Sequence, residues 1–270
     1  MRDHERHNRT SWDRKSDRYQ AGHGAWIGAL PDAWGAWRIP EADLRLLPAL
    51  AGSDTLELGC GGGQWAIWLA QHGARVTGID LSGRQLAHAR RNAAGVGVPV
   101  ALAQGSAELL PFAPASFDLV ISDHGAMSWA DPQRAVPEVA RVLRTDGQLI
   151  FCSTSPLFSM CWEDAGSDRP RWPGWPGWVG GRNRGGRPGE LLRGSYFDLA
   201  PHPEGDGAQS FTIAHGEWVR LFRENGLAVE ALVEPRPPAG VISHFYPEAT
   251  EWAQRWPAET IWKVRREART

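Results

Sequence analysis

Glycines crowd a predicted turn in the stretch TLELGCGGGQWAIWLAQHGARVTGID, which runs from Thr55 to Asp80. Four of the five residues from Gly59 to Gly63 are glycines, and they lie between a short apolar run and a helix-like segment. Because glycine has no Cβ atom, a ligand can touch the main chain there, beside the amide donors of a helix N-terminus. Asp80 ends the next apolar run, where a carboxylate in a doubly wound sheet accepts hydrogen bonds from ribose hydroxyls. The pattern therefore predicts a nucleoside-bearing cofactor.

The residues around the turn distinguish two kinds of nucleoside cofactor. The dinucleotide fingerprint is GxGxxG, but here the third glycine, Gly63, comes one position early and Gln64 takes its place. Glu57 lies two residues before Gly59, and its carboxylate would repel a pyrophosphate. The same carboxylate suits a ligand with an amino group or a positive charge. S-Adenosylmethionine (SAM), which carries a sulfonium and an α-ammonium, is therefore favoured over NAD.

Apolar runs alternate with helical patterns through most of the remaining sequence. Near-continuous apolar strands separated by helices predict a parallel sheet covered by helices on both faces. We predict strands at Thr55–Leu58, Arg75–Ile79, Val100–Ala103, Phe117–Ser122, Gly147–Ser153 and Leu227–Val233, and an edge strand at Glu259–Arg265. We predict helices at Gln64–His72, from an N-cap at Ser82 to about Ala94, at Asp131–Leu143 and at His215–Asn225.

Residues 154–214 interrupt this regularity, because they are rich in proline, glycine, arginine and tryptophan, as in RPRWPGWPGWVGGRNRGGRPGE. A long irregular segment inside a compact domain is typical of a functional lid or of a mobile segment. We therefore divide the chain into four parts. They are an N-terminal cap (1–50), a SAM-binding core (51–153), an insertion that forms an acceptor lid (154–214) and the C-terminal part of the core (215–270).

Four stretches in this order, ELGCGGG, GIDLS, QGSAELLPFAPASFDLVIS and EVARVLRTDGQLIF, resemble one enzyme family. This family is the class I SAM-dependent methyltransferases of the small-molecule type related to the ubiquinone and menaquinone C-methyltransferases. The resemblance is strong from about Ser53 to Ser153. It implies an α/β fold with a doubly wound, Rossmann-like sheet of seven mostly parallel strands, an antiparallel last strand and helices on both faces, to which residues 154–214 add the lid insertion. It also implies SAM as the cofactor.

The resemblance further implies a set of cofactor-binding residues that follows the cofactor from its methionine end to its adenine. At the methionine end and the methyl donor they are Tyr19 (with Trp12 as its alternative), Glu57, Gly59, Cys60, Gly61, Gly63 and Ser122. At the ribose and the adenine they are Asp80, Leu81, Gln85, Ser106, Ala107 and Glu108. Asp80 would accept hydrogen bonds from both ribose hydroxyls, and Leu81 would pack on the adenine.

One position departs from the family pattern. Relatives usually have an aspartate where Ser106 stands, and a neutral hydroxyl accepts a weaker hydrogen bond than a carboxylate does. Two explanations are open. Either the backbone and packing hold the adenine, or Glu108 contributes.

Methyl transfer from a sulfonium is a direct displacement, so the protein mainly aligns the reacting atoms and excludes water. A base is needed only if the acceptor carries a proton in the reactive range. Asp123 and His124, which end the fourth strand, are the candidate catalytic residues, and histidine titrates near neutral pH. A solvent-exposed loop histidine is the structural alternative.

The sequence contains 15 tryptophans, more than the core alone would need, and several lie in residues 1–50 and in the insertion. Tryptophan offers a large flat apolar face. These residues predict an acceptor cavity for a small planar or apolar metabolite, aromatic or isoprenoid. Ordinary packing of loops is the alternative. The long lid argues against a macromolecular acceptor, which would need an open groove.

Bulk composition limits the partners of the 270-residue chain. A formal net charge of −2 predicts no nucleic-acid footprint, and no apolar run reaches the ~18 residues of a membrane span. Cysteines at 60, 152 and 161 match neither a disulfide framework nor a metal pattern, so we expect a cytoplasmic protein without a bound metal.

Several questions stay open at this stage. The acceptor atom and the oligomeric state are undetermined, a homodimer being one alternative. Two other functions are also open: a nicotinamide-dependent oxidoreductase and a non-catalytic SAM-binding module.

Overall fold

A seven-stranded sheet forms the centre of the computed structural model, which describes residues 1–163, 186–199, 201–203 and 207–268. Its strands are β1 (Asp54–Leu58), β2 (Arg75–Asp80), β3 (Ala101–Gln104), β4 (Phe117–Asp123), β5 (Leu143–Thr154), β6 (Leu227–Val233) and β7 (Glu259–Arg266). They lie in the order β6-β7-β5-β4-β1-β2-β3. Strand β7 runs antiparallel to both of its neighbours, whereas the pairs among β1 to β5 are parallel. This arrangement confirms the predicted fold class.

The position of β7 differs from the prediction of an edge strand, because β7 lies inside the sheet and β6 forms the edge. Ile261, Trp262 and Val264 are fully buried, so both faces of β7 are covered. The prediction was wrong because the charged Lys263 lies between these apolar residues and is typical of an exposed strand. In the structure Lys263 Nζ donates a hydrogen bond to the carbonyl oxygen of Leu46 at 2.8 Å, which lets a lysine lie within the sheet.

Five longer helices surround the sheet: α1 (Asp3–Tyr19), α2 (Gln64–Gln71), α3 (Gly83–Val96), α4 (Pro132–Val142) and α5 (His215–Glu224). Shorter helical segments are Ala25–Ala29, Glu41–Leu44, Ala126–Trp129, Pro156–Cys161, Pro247–Ala249 and Thr250–Ala253. As predicted, Ser82 is the N-cap of α3, and its hydroxyl accepts the Gln85 N–H at 3.1 Å. Strand β5 begins at Leu143, four residues earlier than predicted, because α4 ends at Val142.

The two faces of the sheet bury separate apolar clusters. Helices α4 and α5 cover one face, where Val139 and Phe222 pack with Phe151 and other residues. Helix α2 covers the other face, where Leu69 belongs to a cluster that includes Ile150. Burial of such side chains supplies the main stabilisation of the fold, and it leaves the carboxyl ends of the strands as the edge where a ligand can bind.

The N-terminal segment crosses that edge. Helix α1 continues into a π-helical turn at Gln20–Gly24 and the short helix Ala25–Ala29. A two-stranded pair, Ala33–Trp34 with Ile39–Pro40, follows before β1. Trp34 and Trp37 are fully buried, so loop packing, the alternative explanation for the tryptophans, accounts for these two.

The predicted lid is described only in part. Residues 164–185, 200 and 204–206 lie outside the described residues. Two further strand pairs lie within the described part, Trp162–Glu163 with Arg187–Pro188 and His202–Pro203 with Gln209–Ser210. Within the described residues, we find no helix long and apolar enough to cross a bilayer.

Candidate functional site

A cavity lies at the carboxyl ends of the strands, between the sheet and the N-terminal segment. Thirteen of the fifteen residues predicted for the site line it. They are Tyr19, Glu57, Gly59, Cys60, Gly61, Asp80, Leu81, Gln85, Ser106, Ala107, Glu108, Asp123 and His124. Residues far apart in the sequence therefore meet at one place.

Two predicted residues, Gly63 and Ser122, are absent from that lining. Gly63 precedes α2 with φ +76°, and a Cβ atom there would approach the Ala89 side chain to 3.1 Å. Ser122 is fully buried, and its hydroxyl donates to the Leu58 carbonyl oxygen at 2.9 Å. Both residues shape the chain around the cavity.

The glycines of the turn serve different purposes. Gly59 has φ +71°, and a Cβ atom there would come within 2.3 Å of the Ala126 backbone nitrogen. Its missing side chain therefore makes room for neighbouring protein chain. At Gly61 the nearest atom to an added Cβ would be Gln85 Oε1 at 4.0 Å. Gly61 is thus the glycine beside which a ligand has space to approach the backbone.

Asp80 closes the turn at the end of β2. One carboxylate oxygen accepts the Gly61 N–H at 2.9 Å, and the other accepts the Ser82 N–H at 2.8 Å. Burial raises the pKa of Asp80 to about 6, against the opposing effect of these amide donors. Because each carboxylate oxygen has two lone pairs, Asp80 can accept further hydrogen bonds from a ligand in the cavity.

Glu57 lies beneath the same turn. Its Oε2 accepts the Ala66 N–H at 2.8 Å, in the first turn of α2. Burial raises the pKa of Glu57 to about 8, and the charges of Asp123 and Asp80 act in the same direction. A positively charged group bound nearby would favour the ionised form and lower that pKa.

Several polar residues cluster around Ser106, which lines the cavity. The Ser106 hydroxyl accepts the Glu108 N–H at 3.0 Å. The Glu108 carboxylate contacts His4 Nε2 at 2.5 Å and accepts the Asp131 N–H at 2.9 Å. Glu5 of α1 also lines the cavity here. Burial opposes ionisation of Glu5, but hydrogen bonds from Ser106 and from Arg2 outweigh it and lower the pKa of Glu5.

Asp123 and His124 connect the sheet to the N-terminal segment. Asp123 accepts the Gly35 N–H at 3.0 Å and the Trp65 Nε1–H at 3.2 Å. His124, with φ +47°, forms a short hydrogen bond through Nε2 with Glu259 of β7. Burial lowers the pKa of His124, but the Glu259 carboxylate outweighs it, so the net shift is upward. His124 is therefore a buried ion-pair partner, whereas the alternative had placed it in an exposed loop.

Asp123, His124 and Cys152 also resemble a metal-ligand set, because one donor atom from each lies within 4.8 Å of the others. Metals bind the thiolate form of cysteine. Burial and the neighbouring carboxylates raise the pKa of Cys152 well above its ordinary value. Asp123 and His124 are engaged with Gly35, Trp65 and Glu259. The cluster fits a hydrogen-bonded network better than a metal site.

Arg38 is the one lysine or arginine among the described residues that line the cavity. Its guanidinium donates to the carbonyl oxygens of Ala33 at 2.7 Å and Ile27 at 3.0 Å. Arg38 Nη1 also lies 3.9 Å from Asp123 Oδ2. A single positive group is thus fixed at the end of the cavity that Asp123 borders.

Sequence reasoning missed several lining residues, namely Glu5, Gln20, Arg38, Trp65 and Phe245, and also Glu259, which contacts His124. Most of them come from segments that the resemblance does not cover. Glu259 lay in the strand predicted at the sheet edge, where a carboxylate needs no partner. No pattern in the sequence connects these residues, because each reaches the cavity through long-range packing.

The sheet order, the glycine turn and the carboxylate at the end of β2 together define a class I SAM-dependent methyltransferase domain. Residues 56–151 match the family Methyltransf_11, described as a methyltransferase domain. This match confirms the predicted enzyme class for the domain and SAM as its cofactor.

Relatives with the same domain include two curated enzymes. The chain is 39% identical over 115 residues to malonyl-[acyl-carrier protein] O-methyltransferase of Enterobacter lignolyticus, covering 42% of this chain and 44% of the relative. It is 35% identical over 122 residues to demethylmenaquinone methyltransferase of Thermus thermophilus, covering 44% of this chain and 54% of the relative. This chain therefore matches only about half the length of each.

A solved structure extends the comparison beyond the domain. The SAM-dependent methyltransferase of Mesorhizobium loti superposes with a TM-score of 0.61 at 26% identity, covering 83% of this chain and 96% of that one. The likeness supports a common fold for most of the chain, including parts outside residues 56–151.

Proposed function

We propose that the whole chain is a methyltransferase that moves the methyl group of SAM to a small apolar or aromatic acceptor. The observation that carries the proposal is the contact between Asp80 and the Gly61 N–H at 2.9 Å, at the floor of the cavity. It combines an open stretch of main chain with a carboxylate that has lone pairs to spare. A purely apolar ligand would not need this combination, and the nearby Glu57 carboxylate would repel the pyrophosphate of a dinucleotide.

The charged groups of the cavity suit the two ends of SAM. We assign the methionine end to Glu57, Gly59, Cys60 and Gly61, since Glu57 can pair with the α-ammonium. Arg38 is the cation available among the described lining residues for the α-carboxylate. Tyr19 lines the same part of the cavity.

We assign the ribose and the adenine of SAM to the other side of the glycine turn. Asp80 accepts from the ribose hydroxyls, and Leu81, Gln85 and Ala107 surround the adenine. Ser106 lacks the carboxylate that relatives have, but Glu5 supplies one beside it. We therefore assign acceptance from the adenine amine to Glu5 and Ser106. Glu108 Oε1 is engaged with His4 and the Asp131 amide, and Glu108 Oε2 lies 3.6 Å from Arg134 Nε.

When bound, SAM supplies an activated methyl group on a sulfonium. The chain then has to align the acceptor and exclude water. We propose that Asp123 and His124 do this by orientation: Asp123 holds Gly35, and His124 holds Glu259, which accepts the Ala36 N–H at 2.7 Å. Together they fix the N-terminal segment over the reacting atoms. A base role for His124 would instead appear as a pH-dependent rate that His124→Gln abolishes.

The proposed acceptor is a small molecule and not a nucleic acid or a protein. In the part of the chain that the structure describes, α1 and the segment after it line one side of the cavity, which favours a small acceptor. Half-buried aromatic residues, including Trp12 and Trp129, line it. The division of the chain into cap, core, lid and C-terminal core is part of this proposal.

Isothermal titration with SAM, S-adenosylhomocysteine and NADH tests the proposal. We expect S-adenosylhomocysteine to bind with a micromolar or lower Kd and NADH not to bind. Binding of NADH alone would favour the oxidoreductase alternative. Binding of SAM without any conversion to S-adenosylhomocysteine, across a panel of phenols, carboxylic acids and thiols, would favour the non-catalytic module.

A further inference from the structure

Five aromatic residues form a cluster beside the cavity, called the aromatic rim below: Tyr19, His23, Trp26, His244 and Phe245. They come from two distant segments of the chain, and both segments lie outside the matched domain at residues 56–151. Tyr19 and Phe245 line the cavity itself. His244 is exposed and the other four are partly exposed, so the rim presents aromatic surface to whatever enters.

The rings hold one another in fixed orientations. Tyr19 and Phe245 are nearly parallel, with an interplanar angle of 12° and centroids 6.4 Å apart. The His23 ring lies 5.0 Å from Tyr19 and 4.7 Å from Phe245. Trp26 meets Phe245 edge to face at 5.3 Å. Such mutual contacts preorganise the ring faces, which lowers the entropic cost of binding a ligand against them.

The backbone beneath the rim is also unusual. Gln20–Gly24 forms a π-helical turn directly after α1. A π-helical turn is a rare conformation that is frequently found at functional sites. Here it places His23 and Trp26 beside residues 244–245, so the irregular turn and the aromatic rim belong to one feature.

The charge around the rim selects among aromatic-binding ligands. Aromatic faces bind either cations or other rings. The Arg38 guanidinium already lies 5.6 Å from the Trp26 ring centroid, and a second cation there would be repelled. A neutral ring meets no such cost, and it gains edge and face contacts that a saturated ring of equal size lacks.

We infer that the aromatic rim is the acceptor subsite and that it selects a flat, neutral aromatic ring system. The inference rests on the proposed function, because it assigns the acceptor end of the same cavity. It adds the residues that recognise the acceptor and its chemical class. The Tyr19 ring would separate this subsite from the methionine end of the cofactor.

Matched probes test the inference on the full chain saturated with S-adenosylhomocysteine. The probes are 2-naphthol and decahydro-2-naphthol, which share a carbon skeleton and a hydroxyl group but differ in aromaticity. Isothermal titration should show 2-naphthol binding about 3- to 10-fold more tightly, the range expected for specific ring contacts. Phe245→Leu and Trp26→Leu, which keep apolar side chains, should each reduce that preference.

Controls separate this inference from the proposed function. Phe197→Leu removes an aromatic ring that lies outside the rim and is 89% exposed. This variant should bind both probes with unchanged affinity. The affinity for S-adenosylhomocysteine is measured in every variant, and the two probes are compared at saturation with it. Failure of S-adenosylhomocysteine to bind the parent chain would refute the proposed function. Two results would overturn the subsite alone, provided that the parent chain binds S-adenosylhomocysteine. One is that the two probes bind equally or not at all, and the other is that both rim variants keep the preference for 2-naphthol.

Discussion

The two walls of the cavity are built in different ways. The core wall consists of strand ends and the glycine turn, where Asp80 and Glu57 accept hydrogen bonds from backbone amides 2 to 19 residues away in the chain. The cap wall, residues 19–38, is held by carboxylates far away in sequence, since Asp123 accepts from Gly35 and Glu259 accepts from Ala36. A family pattern can encode the first wall, but only the complete fold assembles the second.

The largest effect that we expect for the core wall is a pH dependence of the unfolding free energy, caused by its buried carboxyl groups. Burial raises the pKa of Glu57 from 4.5 to about 8 and that of Asp80 from 3.8 to about 6. The folded state therefore holds these protons more tightly than the unfolded state. Their contribution is fully present below about pH 4 and is lost as the pH rises to about 8, by up to about 1.4 kcal/mol per pH unit for each group.

Urea unfolding at pH 5, 6.5 and 8 measures this loss. The variant Glu57→Gln cannot titrate, so its unfolding free energy should depend less on pH above 6. The same slope in parent and variant would show that Glu57 is not the responsible group. Saturating SAM should also flatten the slope, because a bound ammonium favours the ionised carboxylate.

Glu259→Ala should produce the largest effect on the cap wall. It removes the partner of a buried His124 and the acceptor of the Ala36 amide. Breaking one side of a buried ion pair costs about 3–5 kcal/mol, and the pKa of His124 should fall because the carboxylate that raises it is gone. Urea unfolding and NMR titration of the histidine measure the two effects.

Glu267→Ala is the matched control, because Glu267 is exposed just beyond β7. It should leave both measurements unchanged. A loss below about 1 kcal/mol in Glu259→Ala would mean that other contacts hold the cap.

Asp80→Ala tests the core wall as a ligand site. A charged hydrogen-bonding group contributes about 1.5–3 kcal/mol, so S-adenosylhomocysteine should bind roughly 10- to 150-fold more weakly by calorimetry. Asp146→Asn removes a carboxylate that is 72% exposed and should not change the affinity. Equal affinity in Asp80→Ala would remove the ribose assignment.

Asp13→Ala should have the smallest effect, because it breaks a contact of the cap outside the cavity wall. Asp13 accepts a hydrogen bond from the Ser82 hydroxyl at 2.7 Å and so ties α1 to α3. The same carboxylate oxygen accepts the Arg84 N–H at 3.3 Å. Because the Asp13 side chain is 33% exposed, water replaces part of both hydrogen bonds, and thermal unfolding should register a loss of about 1 kcal/mol. Asp3→Ala, on the exposed side of the same helix, serves as the control. A loss as large as that in Glu259→Ala would place the main attachment of the cap at α1.

The sequence predicted the core wall well for a physical reason. The hydrogen bonds from Gly61 to Asp80 and from Ala66 to Glu57 lie within one strand–turn–helix–strand unit, so local spacing carries the information. The cap wall could not be predicted in this way. Arg38 is more than 200 residues from both Phe245 and Glu259 in the sequence. These residues come together only because β7 takes an internal place in the sheet.

The prediction of β7 as an edge strand was wrong for a similar reason, because the place of a strand in the sheet depends on the complete fold. Period-2 alternation cannot distinguish an edge strand from an internal strand whose lysine stem is covered and whose ammonium finds a carbonyl oxygen. The tryptophans were equally ambiguous, since Trp34 and Trp37 are fully buried whereas Trp26 is partly exposed in the aromatic rim.

The internal place of β7 has a consequence for how the chain matures. During synthesis, residues 33–37 leave the ribosome long before Glu259, which accepts the Ala36 N–H. Sheet pairing between β6, β7 and β5 must also wait for residues 259–266. Contacts of such high sequence separation form late and slowly. The contact that holds residues 33–37 in place beside the cavity therefore cannot form until β7 has left the ribosome.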